Sequence, residues 1–433
     1  MRNLIYSNWG KNTNYKKKLL LPKSIENLKR INKLRKGGFV VCGNLRSFGD
    51  TCINKNTLVS LKNFEKKIKL NKKKLIIEAS SNCLLIDVLK KIVPVGYMLP
   101  VTPGSKYVTI GGMIANNVLG KNSINNQLKL YVKEIKLLTL KNELIICSKR
   151  INRKMFDLTV GGFGLSGIIL SAKLVVKKIK SQFVKQTILK FDNIDEFNLI
   201  SNKKNTFSVT WINSHSLNSG KFKGLFYLGD YSSKKKKYKE FIYNNSKISW
   251  FAKIFLSLYI KNFFFSKIIN YIFITFKKKN DYINFDKFFY PQDKWLNFNN
   301  CYKNGLFQIQ FLVLQKKFPK IIEQISSFFD KHNIKSTFII IKKMNENGEY
   351  LNFYGKGYSI SFDFEKNSKY HLIKKFFNKI INDNQLSVNF SKDIILSNKF
   401  LKNKSFYLKF KNDLKSINKD KFYQSEFSNR LQL

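Results

Sequence analysis

Length and strand patterning predict an α+β protein of two domains. The chain has 433 residues, 43% of them hydrophobic, which is enough for two or three domains with substantial cores. In the first 180 residues, short apolar strands alternate with helical segments. Between about 182 and 385, longer strand-like runs alternate with helical ones, a pattern typical of an antiparallel sheet backed by helices.

The elements of the first domain follow from apolar periodicity. Residues 23–34 predict a helix, and "GGFVVCG" (37–43) predicts a strand that enters a loop. "KLIIEAS" (74–80) and "LLIDVLKKI" (84–92) predict a strand and a helix, and "KEIKLLTL" with "ELIICS" (133–148) predicts a hairpin-like pair. In the second domain, four runs predict strands: "FSVTWIN" (207–213), "LFQIQFLVL" (306–314), "STFIIIKKM" (336–344) and "YSISFDF" (358–364). Two runs predict helices, "KIIEQISSFFDKH" (320–332) and "KYHLIKKFFNKIIND" (369–383).

The composition is strongly basic. Lys and Arg number 80 against 27 Asp and Glu, a net charge of +53 that would attract nucleic acid, anionic lipid or a phosphorylated substrate. Lys, Asn, Ile and Phe are all abundant together, however, which is typical of an A+T-rich coding sequence. Runs such as 234–237 and 277–279 are therefore interpreted first as solvated loops or helix ends, and no nucleic-acid partner is expected.

Cysteine usage and the N-terminus indicate a cytoplasmic protein. The five cysteines, at positions 42, 52, 83, 147 and 301, show no CxxC or Cys/His metal spacing, so no metal site is predicted. Asn8, Gly10 and Lys11 interrupt the apolar stretch that a signal peptide would need.

The most membrane-like stretch is residues 249–279. It is strongly apolar and aromatic, but Lys253, Lys261 and Lys267 interrupt it. This pattern suits an interfacial segment better than a spanning one, so a peripheral contact with the inner face of the membrane is one expectation. Helices that cover the second domain are the alternative.

Two glycine-bearing loops lie about 60 residues apart in the first domain. "VCGNLRSFGD" (41–50) and "TPGSKYVTIGGMIANN" (102–117) each follow an apolar segment and could offer backbone N–H groups to a pyrophosphate. Ordinary glycine turns are the alternative. "GFGLSG" (162–167) has the G-x-G-x-x-G pattern, but the β-branched run after it predicts a strand, which argues against a Rossmann site.

Together these motifs resemble flavoproteins of the vanillyl-alcohol-oxidase type, with a PCMH-like FAD-binding domain, and among them the decaprenylphosphoryl-ribose oxidases of cell-wall biosynthesis. The resembling segments, in the family's order, are "NWGK" (8–11), "GNLRSFGD" (43–50), "PVTPGSKYVTIGGMIANNVLGKN" (100–122), "FDLTVGGFGLSGIIL" (156–170), "FSVTWIN" (207–213), "FFYPQD" (288–293), "LFQIQFLV" (306–313), "YSISFDF" (358–364), "NFSKD" (389–393) and "SEFSNRLQL" (425–433).

The resemblance implies a substrate domain inserted in a flavin domain. It divides the chain into an FAD-binding domain (1–181), a substrate domain (182–385) and a C-terminal return to the FAD-binding domain (386–433). The cofactor-binding residues that it implies are Gly43, Asn44, Leu45, Arg46, Ser47, Gly49, Pro103, Gly104, Ser105, Val108, Gly111, Gly112, Ala115, Asn116, Gly162, Gly167 and Ile168.

Noncovalent FAD is expected. Many relatives attach FAD through a histidine in the first loop, where this chain has Arg46. The only histidines are His215, His332 and His371, none of them in the predicted flavin domain.

The resemblance also implies the catalytic site. Oxidation of a secondary alcohol leaves negative charge on the reduced flavin, which a nearby cation stabilises. Lys392 in "NFSKD" matches the family's active-site lysine. Gln308 and Gln310 are two residues apart on one predicted strand, so their side chains share a face. The resemblance implies that this face meets substrate and flavin. A polar outer face of the sheet is the alternative. The other implied substrate residues are Lys121, Asn122, Trp211, Tyr290 and Ser361.

Several positions depart from the family pattern. Leu119, Ser123 and Ile124 stand where relatives have histidines, Ser361 aligns with the pocket cysteine of the mycobacterial enzymes, and Asn389 replaces a tyrosine. These changes put the identity of the sugar in doubt.

The resemblance implies FAD-dependent oxidation of a ring hydroxyl of a phosphosugar, with a polyprenyl-phosphate-linked pentose as the expected substrate. The reaction would be the first half of an epimerisation that a short-chain reductase partner completes. The alternatives are an aldonolactone or other small-sugar oxidase and, from another class, a basic membrane- or nucleic-acid-binding protein without flavin chemistry.

Overall fold

The computed structural model describes residues 3–34, 38–233, 250–277, 280–295, 297–418 and 421–433. The lysine run 234–237 lies outside the described residues, as do residues 249, 278 and 279 of the membrane-like stretch. Helices and largely antiparallel sheets alternate along the described chain, in agreement with the predicted α+β class.

The N-terminal sheet has four strands in the order β1–β2–β4–β3. Its elements are β1 (Asn3–Ser7), β2 (Asn14–Leu20), α1 (Ile25–Leu34), β3 (Val40–Cys42) and β4 (Thr57–Ser60). Helix α1 and strand β3 confirm the predictions for 23–34 and 37–43, whereas the β1–β2 hairpin was not predicted. Because β3 ends at Cys42, the first glycine loop begins at this edge of the sheet.

The second sheet has five antiparallel strands in the order β5–β6–β10–β8–β9, and β7 pairs separately with β11. The elements of this part are β5 (Ile68–Asn71), β6 (Ile76–Ser80), α2 (Leu85–Ile92), β7 (Tyr97–Met98), α3 (Ile110–Ala115), β8 (Val132–Leu138), β9 (Leu144–Cys147), α4 (Arg153–Thr159), β10 (Ile168–Val175) and β11 (Lys177–Lys178). The β8–β9 pair confirms the predicted hairpin. Strand β10 confirms that "GFGLSG" leads into a strand and not into a helix.

The largest sheet has eight antiparallel strands in the order β15–β12–β14–β13–β17–β18–β16–β19. They are β12 (Phe183–Phe191), β13 (Phe207–Ile212), β14 (Gly224–Tyr231), β15 (Asn280–Asn284), β16 (Leu306–Val313), β17 (Phe338–Glu346), β18 (Gly355–Glu365) and β19 (Ser387–Val388). All four strands predicted for the second domain are present in it.

The helices of the second half include both predicted ones, α10 and α11. They are α5 (Ile194–Ser201), α6 (Ser214–Leu217), α7 (Trp250–Lys261), α8 (Phe263–Thr275), α9 (Phe285–Phe289), α10 (Phe318–Lys331), α11 (Tyr370–Asp383), α12 (Asn398–Leu401), α13 (Ser405–Ile417) and α14 (Glu426–Leu431). Short 3₁₀ turns cover Leu61–Asn63, Leu128–Tyr131, Pro291–Trp295, Phe298–Cys301 and Gln315–Lys317.

The two faces of the eight-stranded sheet differ in chemistry. On one face, Ile309 and Phe311 of β16 join a core cluster with the buried faces of α10 and α11. These apolar residues alternate with Gln308 and Gln310, which therefore point to the opposite face. The sequence pattern thus leaves polar side chains on the face that helices α10 and α11 do not cover.

The C-terminal segment lies against the first sheet. Tyr423 forms a parallel bridge with Phe39, and both belong to one small core cluster. The guanidinium of Arg430 in α14 forms a bidentate ion pair with Asp50, with N–O distances of 2.9 Å. It also lies 2.9 Å from Asp393, so the end of the chain holds the first glycine loop beside the "NFSKD" loop.

Candidate active site

A cleft lies between the first two sheets, bordered by both glycine loops. It contains about 1120 Å³ of space outside protein atoms, part of which opens to solvent. The predicted cofactor residues that line it are Gly43, Asn44, Gly111, Gly112, Ala115, Asn116 and Gly167. Its lining also includes residues that the sequence did not single out, among them Lys62, Lys66, Ser81, Asn82, Thr109 and Gly164.

Close backbone packing explains the glycine at position 43. A Cβ atom there would lie 2.3 Å from Oγ1 of Thr109, which caps helix α3 by accepting from the Gly112 N–H at 3.1 Å. The Asn44 side chain donates to the Tyr107 carbonyl at 2.7 Å and joins the two loops. A larger residue at position 43 would push the two loops apart.

Gly164 shows that the cleft has room for a ligand. It lines the cleft with φ +77°, and a Cβ atom there would have no atom within 4 Å, so its backbone faces open space. Small residues on both sides of an open cleft fit a dinucleotide whose pyrophosphate approaches main chain closely. The residues present therefore fit FAD.

The other predicted cofactor residues do not line this cleft. These residues are Leu45, Arg46, Ser47, Gly49, Pro103, Gly104, Ser105, Val108, Gly162 and Ile168. Their roles toward the cofactor stay predictions.

The second half of the first loop faces the "NFSKD" loop. The Ser47 hydroxyl donates to the Ser391 carbonyl at 2.8 Å, and the Gly49 N–H approaches the same oxygen at 3.3 Å. The Arg46 guanidinium lies over the ring of Trp9, 4.2 Å from its centroid. Arg46 is thus held by an aromatic residue of the "NWGK" motif, and Lys392 is brought next to the first glycine loop (41–50).

Strand register places three predicted substrate residues in one row. Trp211 pairs with Ile340, Ile340 pairs with Ser361, and Ser361 pairs with Gln310. Directly opposite residues in antiparallel strands point to the same face of a sheet. Trp211, Ser361 and Gln310 therefore share the face opposite α10 and α11, although they are up to 150 positions apart in sequence.

The two glutamines hold polar networks on this face. The Gln308 amide donates to the Asp363 carboxylate, and its own Oε1 is buried without a hydrogen-bond partner among the described residues. The Gln310 amide donates to Ser359 Oγ at 2.7 Å, and its Oε1 accepts from the Asn389 amide at 2.9 Å. The structure thus confirms a shared face for the glutamines and shows that it is buried, which excludes the outer-face alternative.

Three lysines meet beside this row. Burial and, to a smaller extent, the nearby charges of Lys392 and Lys121 lower the pKa of Lys342 to about 7. Burial lowers the pKa of Lys121 to about 7 and that of Lys392 to about 8, with Asp363 partly opposing the latter shift. The Asp363 pKa is raised by burial to about 6. The cluster is rich in positive charge and suited to an anion.

Lys342 is the functional candidate that the sequence analysis missed. It pairs with Ser359 and lies two residues beyond Ile340, so it points to the substrate face, and its ammonium donates to the Gly120 carbonyl at 2.9 Å. Alternation along "FIIIKK" places Lys342 and Lys343 on opposite faces of the strand. In a chain with 80 basic residues, this alternation alone did not identify Lys342 as a site residue.

The segment after α3 carries the predicted residues Lys121 and Asn122. The Lys121 ammonium donates to the Phe288 carbonyl, and the Asn122 amide donates to Pro100 O at 3.0 Å. Tyr290 is fully buried close to this segment, and burial raises its pKa.

The positions where relatives carry histidines are spread out. Leu119 packs with Leu312 and Met344, Ser123 bonds the Ser208 hydroxyl at 3.1 Å, and Ile124 is exposed. These residues do not form one polar cluster.

The histidines and cysteines form no metal-binding group in the described ranges. His215, His332 and His371 belong to α6, the end of α10 and α11, and all five cysteines are free thiols. In the described part of the chain, no group of three His, Cys, Asp or Glu residues could hold a metal ion. None of the helices in the described ranges is long and apolar enough to cross a membrane.

Residues 17–148 match the family model described as an FAD binding domain. Among curated relatives, decaprenylphosphoryl-beta-D-ribose oxidase of Mycolicibacterium smegmatis is 31% identical over 144 residues, 32% of this chain and 30% of that protein. Cytokinin dehydrogenase 2 of Arabidopsis thaliana is 31% identical over 108 residues, 25% of this chain and 22% of that protein. L-gulonolactone oxidase of Scyliorhinus torazame is 23% identical over 175 residues, 39% of each chain.

The domain match confirms the predicted PCMH-type flavin domain and FAD as its cofactor. The chain matches less than two fifths of the length of each of these relatives, whose names include oxidases and dehydrogenases. These partial matches do not identify the activity or the substrate of the whole chain, so we infer both from the site.

Proposed function

We propose that this protein is an FAD-dependent oxidoreductase that oxidises a ring hydroxyl of a polyprenyl-phosphate-linked pentose to a keto sugar. The observation that carries the proposal is that Lys342, on the sheet face that also presents Gln310 and Ser361, meets Lys121 and Lys392 from two neighbouring loops. Three partly buried cations with one nearby carboxylate are stabilised by an anionic ligand, and a lipid-linked phosphosugar supplies one.

FAD, when bound, would supply a hydride acceptor for the carbon that bears the hydroxyl group, and the hydroxyl proton would pass to a base or to solvent. Lys392 lies in the loop that touches the first glycine loop (41–50). We therefore propose that its positive charge stabilises the negative charge that develops during oxidation. Lys121 and Lys342 are assigned to the substrate phosphate. The unpartnered Oε1 of Gln308 is suited to accept a hydrogen bond from a sugar hydroxyl.

Three further features belong to this proposal. The flavin domain consists of residues 1–181 and 386–433, which the Phe39–Tyr423 bridge and the Arg430–Asp50 ion pair support, with residues 182–385 inserted as the substrate domain. Strand β19 lies just past this boundary and pairs with β16, so it links the two domains. FAD is held noncovalently, since Arg46 stands in the histidine position. The keto sugar is chemically reactive, and a short-chain reductase is the expected partner that consumes it.

Anaerobic mixing tests the proposed substrate. We expect a short-chain polyprenyl-phosphoribose to bleach the flavin faster than gulonolactone or arabinonolactone. Lys342→Gln weakens binding of the phosphorylated compound at least tenfold, because a charge contact to phosphate is lost. Lys343→Gln is the matched control, since Lys343 points to the other face and bonds Ser201 O. Bleaching by a free lactone alone would assign the chain to small-sugar oxidation instead.

A further inference from the structure

The α7–α8 hairpin, residues 250–277, has an unusual distribution of side chains. Of the 23 large hydrophobic residues that are exposed in the described ranges, 12 lie within these 28 residues. Phe251 is 76% exposed, Phe264 71% and Tyr271 70%. Single exposed hydrophobic residues are normal, whereas a contiguous set of this size marks an interaction surface.

Polar residues of α8 face the protein interior, which inverts the usual pattern of a surface helix. The buried positions of α8 are Ser266 and Asn270, one turn apart. Ser266 shares a hydrogen bond of 2.9 Å with His215 Nε2, and Asn270 bonds the Tyr259 hydroxyl and Asn213, both at 2.9 Å. Polar contacts thus anchor α8 at its two buried positions, while Tyr259 and Ile260 of α7 are buried in an apolar cluster. Phe264 and Tyr271 are among the aromatic side chains of α8 that stay exposed.

The charge of the hairpin indicates which partner its exposed surface fits. No Asp or Glu occurs between residues 250 and 277. Lys253, Lys261 and Lys267 are exposed among the aromatic residues. Interleaved aromatic residues and lysines complement a bilayer surface, where rings enter the headgroup region and each ammonium is attracted to anionic lipid.

Helices α7 and α8 are too short to span a bilayer. Helices α7 and α8 have 12 and 13 residues, so each is about 20 Å long, shorter than the roughly 30 Å hydrocarbon core. The hairpin therefore suits a position within one leaflet interface.

The base of the hairpin connects its apolar surface to the candidate site. Phe273 packs edge-on against Trp211, with ring centroids 5.3 Å apart. Trp211 begins the row that contains Ser361 and Gln310. Phe265, on the same helix as Phe273, and Phe48 of the first glycine loop (41–50) pack against one apolar cluster. Apolar contacts thus connect the exposed hairpin to the substrate face.

We propose that the α7–α8 hairpin docks the protein onto an anionic lipid bilayer, and that its contact with Trp211 forms the route by which a lipid tail reaches the candidate site. The docking surface is independent of the reaction. The route rests on the proposed function, because it requires a lipid-linked substrate. In this arrangement the phosphosugar lies at the lysine cluster while its tail remains along the hairpin and the bilayer.

Sedimentation with vesicles tests the docking. The full chain with FAD binds vesicles of equal parts phosphatidylglycerol and phosphatidylcholine, binds phosphatidylcholine vesicles weakly, and dissociates at high salt. The triple variant Phe251→Gln, Phe264→Gln, Tyr271→Gln weakens binding about 100-fold, on the order of fivefold for each ring.

Two control proteins accompany this measurement. The variant Ile151→Gln, Leu199→Gln, Leu314→Gln removes exposed hydrophobic residues elsewhere and leaves binding unchanged. Flavin content confirms that each variant is folded. Undiminished binding by the triple hairpin variant, or equal binding of the wild type to neutral vesicles, would overturn the docking. A wild-type dimer that the triple variant converts to a monomer without lipid binding would identify a second copy of this chain as the occupant.

Flavin reduction tests the route. The triple hairpin variant is reduced at the wild-type rate by a water-soluble short-chain phosphopentose and at least tenfold more slowly by a long-chain substrate in vesicles. Equal rates with the vesicle-borne substrate would overturn the route. If neither compound reduces the wild type while vesicle binding persists, the proposed function fails and the docking stands.

Discussion

Replacement of Lys392 by Met removes the cation that we assign to the reacting end of the site. Loss of one preorganised charge at a developing negative charge typically costs about 10²- to 10³-fold in rate. The Lys392 pKa is lowered to about 8, so about nine tenths of the molecules carry this charge at pH 7 and about one tenth at pH 9. The charged form is present below the pKa, and a reaction that needs it slows about tenfold as the pH rises from 7 to 9.

Anaerobic stopped-flow reduction measures this effect. The second-order rate constant for flavin reduction reports pKa values of the free enzyme, so wild type should show a descending limb near pH 8. In Lys392→Met the limb near pH 8 disappears, the Lys121 limb near pH 7 stays, and the Lys342 pKa rises from about 7 because the repelling charge of Lys392 is gone. Lys343→Met is the control for loss of a lysine on the same strand as Lys342. A Lys392→Met enzyme within threefold of wild type, with the same pH profile, would refute the assignment.

Arg430→Leu leaves the buried carboxylates of Asp50 and Asp393 without their cation, and we expect urea denaturation to show a loss of about 3–5 kcal/mol in unfolding free energy. Arg153→Leu, on an exposed side chain, is the matched control at about 0.5 kcal/mol or less, and a loss below about 1 kcal/mol for Arg430→Leu would contradict a buried network. FAD should remain in solution when the protein is precipitated by acid, and flavin in the washed pellet would reveal a covalent bond. Reagents that bond a pocket cysteine should leave Ser361 unmodified, because its hydroxyl is a much weaker nucleophile, and peptide mass spectrometry would detect the opposite result.

Local patterns carried much of the fold. Apolar alternation over "LFQIQFLVL" and "YSISFDF" predicted strands that the structure contains, and the period of residues 369–383 predicted helix α11. These signals are local because the 2-residue and 3.6-residue repeats are visible within a single element. The two glycine loops predicted a cofactor cleft for the same reason, since close backbone approach selects glycine at the position itself.

The candidate site was visible in sequence only through motifs. Gln308 and Gln310 could be placed on one face of a strand, but burial of that face depends on what packs above it. The role of Lys342 was hidden, because its distinguishing features are its register with Ser359 and its approach to Lys392 and Lys121, and none of these appears in a local pattern.

By itself, the sequence determined the α+β class, the main strands and helices, and the presence of an FAD-binding domain. The tertiary structure decided which charges meet. Arg430 joins Asp50 to Asp393, and α8 turns Ser266 inward while its aromatic residues face out. These contacts join residues tens to hundreds of positions apart. Strand register and helix orientation are set by the packing of the whole chain, so no single stretch of sequence contains them.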